Sequence, residues 1–118
     1  MKLRILQLLG KIVFKLQSME PVSITPILHQ CSNGSYTRCF QVGKIVILSF
    51  NINITTATVS YDYISGLPLP IEGGWACSGV QTGTTNVMRL WITPQGTLRT
   101  DGNAYTGWCS GNITYVCQ

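Results

Sequence analysis

The sequence predicts an all-β fold, a small antiparallel β-sandwich of jelly-roll type behind a short N-terminal helix. Two observations carry the β assignment. From Gln41 to Ile54 the chain alternates strictly, with Val46, Leu48, Phe50, Ile52 and Ile54 on one face and Ser49, Asn51 and Asn53 on the other, which is the pattern of a half-buried strand. The same period returns at Asn86 to Thr93, where Met88, Leu90 and Ile92 alternate with Val87, Arg89 and Trp91, and again at Asn112 to Cys117. The third observation is the spacing of apolar residues in the leader, which is helical.

In the leader, Ile5, Leu9, Ile12, Leu16 and Met19 fall at the spacing of a helical seam, opposite a polar stripe of Arg4, Gln7, Lys11, Lys15 and Ser18. Such a seam packs on another helix or on its own copies, so these five residues are the expected oligomerisation surface. Gly10 weakens the helix, at a cost of about 1 kcal/mol. Lys11 and Lys15 interrupt the apolar run that a secretory signal needs, and no stretch approaches the roughly 20 apolar residues of a membrane span. Membrane insertion is not expected, although a basic amphipathic helix also suits an anionic bilayer surface.

Proline at position 21 disfavours helix at Glu20, so the expected organisation is an amphipathic helix over 1–20 and a β module over 21–118. Within the module, Pro26 precedes a short strand through Ile27 and Leu28, and Asn33-Gly34 reads as a hairpin turn. Val42-Gly43-Lys44 leads into the long strand. Thr55 to Tyr63 continues with β-branched and aromatic residues. ISGLPLPIEGG, from Ile64 to Gly74, is an irregular crossover, and turns follow at Pro94-Gln95-Gly96 and Asp101-Gly102-Asn103.

Composition limits the functional classes. The chain has 118 residues, enough for one core, with 45% apolar and only 10% charged residues. Its net charge of +4 resides in the leader, because Lys2, Arg4, Lys11 and Lys15 precede the first acid and the remaining four bases face four acids. The scattered Arg38, Lys44, Arg89 and Arg99 build no phosphate-neutralising face, so nucleic acid is set aside. Five cysteines lack the spacing of a zinc site, and no metal is expected. Cys109 would meet Cys117 only through a turn at Ser110-Gly111, and a tight turn at Asn33-Gly34 would set Tyr36, not Cys39, opposite Cys31. Buried thiols acting as small hydrophobes are the simpler reading.

The catalytic inventory is poor. His29 is the one histidine and lies beside Cys31 without an orienting acid nearby in sequence, which favours a structural histidine. Asp62, Glu72 and Asp101 lie in turn-rich sequence, where carboxylates serve solubility and local hydrogen bonds more often than glycoside hydrolysis. No phosphate-binding glycine loop or nucleophile elbow is present. The expectation is a protein that is not an enzyme.

Three phrases, read in order, carry a family resemblance. They are Ser65-Gly66-Leu67-Pro68 opening the crossover, Gly96-Thr97-Leu98 within TPQGTLRT, and Gly111, Ile113, Thr114 and Tyr115 in the closing GNITYV. Over roughly Tyr36 to Cys117 the chain resembles the C-terminal head domains of tail-fibre and baseplate receptor-binding proteins of tailed bacteriophages. That resemblance implies a homotrimeric virion protein, gathered by its leader and joined to other phage structural proteins. It also implies that the head touches a host cell-wall saccharide without a cofactor. A purely structural or decorating protein of the particle is the alternative.

Sugars present C–H faces to aromatic rings and hydroxyls to planar polar groups. The candidate saccharide contacts are therefore Asp101, Asn103, Tyr105 and Trp108 in DGNAYTGWC, with Trp91 and Arg89 on the outward face of their strand. Packing is the competing role for each aromatic residue.

Overall fold

The computed structural model describes residues 20–118, so residues 1–19 of the helix expected over 1–20, with its seam of Ile5, Leu9, Ile12, Leu16 and Met19, lie outside the described residues. Nine strands follow in order: β1 (Val22–Ile24), β2 (Ile27–Leu28), β3 (Tyr36–Val42), β4 (Ile45–Ile54), β5 (Asp62–Ser65), β6 (Trp75–Gln81), β7 (Val87–Ile92), β8 (Leu98–Thr100) and β9 (Gly107–Val116). All pair antiparallel in a single sheet of order β1-β3-β4-β9-β6-β7-β8-β5-β2. The all-β antiparallel expectation holds, and the two layers are parts of one continuous sheet that curls on itself.

The curl is held where β2 passes into β3. After pairing with β5 the chain bends at Gln30, a non-glycine residue at φ 54°, and Cys31 bridges to Ile54 at the far end of β4. Gln30 O accepts from Thr55 N and Ser32 N donates to Asn53 O, both at 2.9 Å. One segment thus touches both β5 and β4 and draws the sheet round. Asn33-Gly34 is a turn but not a hairpin: Cys31 and Tyr36 both align with β4, at Ile54 and Asn51, and the turn is an excursion between them.

Alternation in β4 places Val46, Leu48, Phe50, Ile52 and Ile54 inside, each 2% exposed or less, where β7 adds Met88, Leu90 and Ile92 and β9 adds Cys109, Ile113 and Tyr115. Both strand readings hold, except that Gln41 and Val42 belong to β3, across a two-residue turn at Gly43-Lys44. The last strand begins earlier than expected, at Gly107, and Ser110-Gly111 lies within it. Cys109 and Cys117 are therefore eight residues apart along extended chain, and all five thiols are free.

Thr55 to Tyr61 is a loop, against the strand expected there. The Tyr63 hydroxyl accepts from Thr58 N at 2.8 Å and donates to Thr56 O at 3.0 Å, while Thr100 Oγ1 accepts from Tyr61 N at 3.1 Å. These bonds satisfy the loop's backbone without a ladder. The crossover after β5 is irregular as expected, and the Tyr115 hydroxyl ties it down by donating to Pro68 O at 2.7 Å.

Candidate functional site

On the outer surface, cross-strand register assembles a row of four residues. Ala76 of β6 stands opposite Trp91 of β7, Trp91 opposite Arg99 of β8, and Arg99 opposite Asp62 of β5. Burial explains the orientation. Leu90 and Ile92 point inward and turn Trp91 out, and Leu98 and Thr100 do the same for Arg99. A second register step along β7 sets Arg89 opposite Ser78, and Asp101 N donates to Arg89 O at 2.9 Å. A partly exposed indole therefore lies between two Arg–Asp pairs.

The two pairs differ in strength. Arg99 Nε donates to Asp62 Oδ1 at 2.7 Å with both side chains about two-thirds covered, 39% and 35% exposed. That hydrogen bond, and then the charge of Asp62, push the Arg99 guanidinium further toward its protonated form. Arg89 Nε lies 3.7 Å from Asp101 Oδ2 with side chains 73% and 57% exposed, so water and salt weaken it.

Beside this row, an open cleft of about 370 Å³ is lined by His29, Ser60, Tyr61, Asp62, Ser65 and Arg99. His29 Nε2 and Ser65 Oγ are 2.7 Å apart, and the Tyr61 ring meets Tyr63 edge-on at 5.0 Å between centroids.

The six sequence-derived candidates divide. Arg89, Trp91 and Asp101 come together, while Asn103 sits exposed in the loop after β8 and Tyr105 packs against the core. Trp108 lies elsewhere. It pairs with Asn53 of β4, its carbonyl accepts from Thr82 N at 2.9 Å, and its ring faces Gly34. Because Trp91 stands opposite Ala76, the two indoles are separated along the β6 direction by roughly 20 Å at about 3.3 Å per residue. A different groove, lined by Tyr36, Asn51, Thr82, Ser110 and Asn112, lies on that part of the sheet, and Trp108 is not among its lining residues. Reading single strands weighed Asp62 and His29 only as catalytic groups and left out Arg99 and Ser65 as ligand contacts. Their alignment depends on pairing between β2, β5 and β8, although the outward place of Arg99 between Leu98 and Thr100 was open to the same alternation reading.

Among the described residues no group of three His, Cys, Asp or Glu side chains is placed to hold a metal ion. Burial pushes the thiols of Cys39, Cys77 and Cys109 up to about 11, so they are protonated at neutral pH.

The chain is similar to the crystal structure of the head domain of lactococcal phage bIL170, one of the receptor-binding domains of lactococcal phages, with a TM-score of 0.54 and 10% identity. The match covers 86% of this chain and 100% of that one, and at this identity it is a likeness of fold. No family model matches the chain, and no curated protein matches it in sequence.

Proposed function

We propose that this protein is a virion component of a tailed phage, a receptor-binding head that recognises a host-surface saccharide without transforming it. The likeness of fold to the bIL170 head, over 86% of this chain, carries the phage reading. The saccharide reading rests on the outer face, where Trp91 offers a ring surface and Arg99 and Asp62 offer planar donors and acceptors. Aromatic platforms and fixed polar groups are what a sugar's two chemistries require.

Assembly as a homotrimer fits a second feature. The outer face of β3, β4 and β9 is polar at one end, with Arg38, Ser49 and Asn112, and apolar near Gly43, where Phe40 (40% exposed), Ile45 (41%) and Ile47 (46%) cluster. Copies meeting through that patch would cover apolar surface that a lone domain leaves wet.

The test is sedimentation of the purified protein with intact cells from a panel of bacteria, untreated, periodate-oxidised or protease-treated. Periodate cleaves vicinal diols. Binding that survives protease and is lost with periodate supports a saccharide receptor; the reverse pattern contradicts it, and no binding to any cell favours a structural particle protein.

A further inference from the structure

We propose that the cleft between β2, β5 and β8 is a binding subsite for one neutral sugar unit, seated through adjacent hydroxyls, which extends the Trp91 face so that two consecutive units are read. This rests on the saccharide-receptor reading and adds where, and with what charge, the ligand is held.

The polar groups of the cleft are positioned yet only partly used. Arg99 carries five N–H donors and engages Asp62 through Nε, leaving its Nη donors free to face the cleft. Asp62 Oδ2 and the Ser60 hydroxyl make no hydrogen bond among the described residues, and the His29–Ser65 contact holds the Ser65 hydroxyl in place at the rim. Every remaining polar side-chain atom of the described residues is either paired or open to solvent, so these groups face water that a ligand can displace.

Charge selects the ligand class. Arg99 and Asp62 cancel, and an anion approaching the guanidinium also approaches the carboxylate. A neutral polyol meets no such conflict. One hydroxyl donates to Asp62 while its neighbour accepts from Arg99, and Tyr61, buttressed edge-on by Tyr63, supplies an apolar wall for C–H groups. At about 370 Å³ the cleft has the size of small-ligand sites. Continuity with the Trp91 face follows from Arg99 itself, which stands opposite Trp91 on one side and Asp62 on the other.

The experiment is amide chemical-shift mapping of the full chain with methyl glycosides of glucose, galactose, rhamnose and N-acetylglucosamine, each alone, and with inorganic phosphate. At least one glycoside is expected to shift Tyr61, Asp62 and Ser65 saturably at millimolar concentration, with phosphate causing no such shift. Ser65→Ala and Ser60→Ala, each checked for an otherwise unchanged spectrum, should weaken that binding about fivefold. Shifts caused by phosphate alone, shifts confined to β7, or no shift with any glycoside overturn the subsite. If cells are bound but the glycosides leave the cleft silent, the subsite fails and the receptor reading stands. If the cleft responds but no cell is bound, the receptor reading fails.

Discussion

The ring of Phe50 occupies the space a side chain at Gly111 would need: a Cβ built on Gly111 lies 2.8 Å from Phe50 Cζ and 2.5 Å from the carbonyl oxygen of Ser78. The neighbouring Gly79 is filled in the same way, its Cβ position 2.5 Å from Cys109 Sγ and 3.6 Å from Phe50 Cε2. The Phe50 ring on β4 thus fills the space over Gly111 of β9 and reaches the edge of Gly79 of β6, which Cys109 and Leu90 fill, at the centre of the sheet. Because a backbone oxygen cannot swing away, Gly111→Ala should cost at least the 1–3 kcal/mol typical of overpacking. Phe50→Ala should cost about 3–5 kcal/mol through the cavity it leaves. Urea unfolding monitored by tryptophan fluorescence checks both.

These glycines also show why parts of the fold were hidden in the sequence. β4 and β7 were legible because each inward position carries its own large side chain. β6, reading WACSGVQ, was missed because Gly79 takes an inward place that Cys109 and Leu90 from the neighbouring strands fill. Gly111, whose inward place Phe50 fills, reads as a turn residue beside Ser110, which hid the first half of β9. Thr55 to Tyr61 has strand-like composition, yet Tyr63 and Thr100 satisfy its backbone as a loop. Of the site, Arg89, Trp91 and Asp101 were within reach of local pattern, whereas the Arg99–Asp62 pair requires knowing that β8 lies beside β5.

Removing one member of the half-buried pair should matter more than removing the same member of the exposed one. Arg99→Leu removes the 2.7 Å hydrogen bond to Asp62 and should lower the unfolding midpoint measurably. Arg89→Leu should change stability by less than about 0.5 kcal/mol. Equal losses in thermal unfolding would contradict the difference in geometry.

Assembly through the apolar end of the outer face predicts that Ile47→Glu keeps the circular dichroism of the native sheet while lowering the mass found by sedimentation equilibrium from three chains to one. Glutamate at an exposed strand position is tolerated in a monomer, whereas buried between copies it is an unpaired charge. An unchanged trimer mass would place the contact elsewhere.

Buried thiols should contribute to a loss of stability at alkaline pH. Burial raises Cys39 and Cys109 from 9.0 to about 11, so the folded state holds protons that the unfolded state releases. Their contribution is complete below pH 9 and should disappear as the pH climbs from 9 to 11. Cys39→Ala and Cys109→Ala should each flatten that decline in denaturant midpoint, although both lower stability at pH 7 by loss of packing. An alkaline slope identical to wild type in both variants would contradict this assignment.

The receptor-binding claim is tested most directly by an array of bacterial surface polysaccharides probed with the labelled wild-type protein, Trp91→Ala and Trp108→Ala. Wild type should bind a restricted set of polysaccharides, Trp91→Ala should lose at least tenfold in affinity, and Trp108→Ala should bind like wild type. Absence of binding to every polysaccharide, or loss with Trp108→Ala alone, would contradict recognition at the Trp91–Arg99 face.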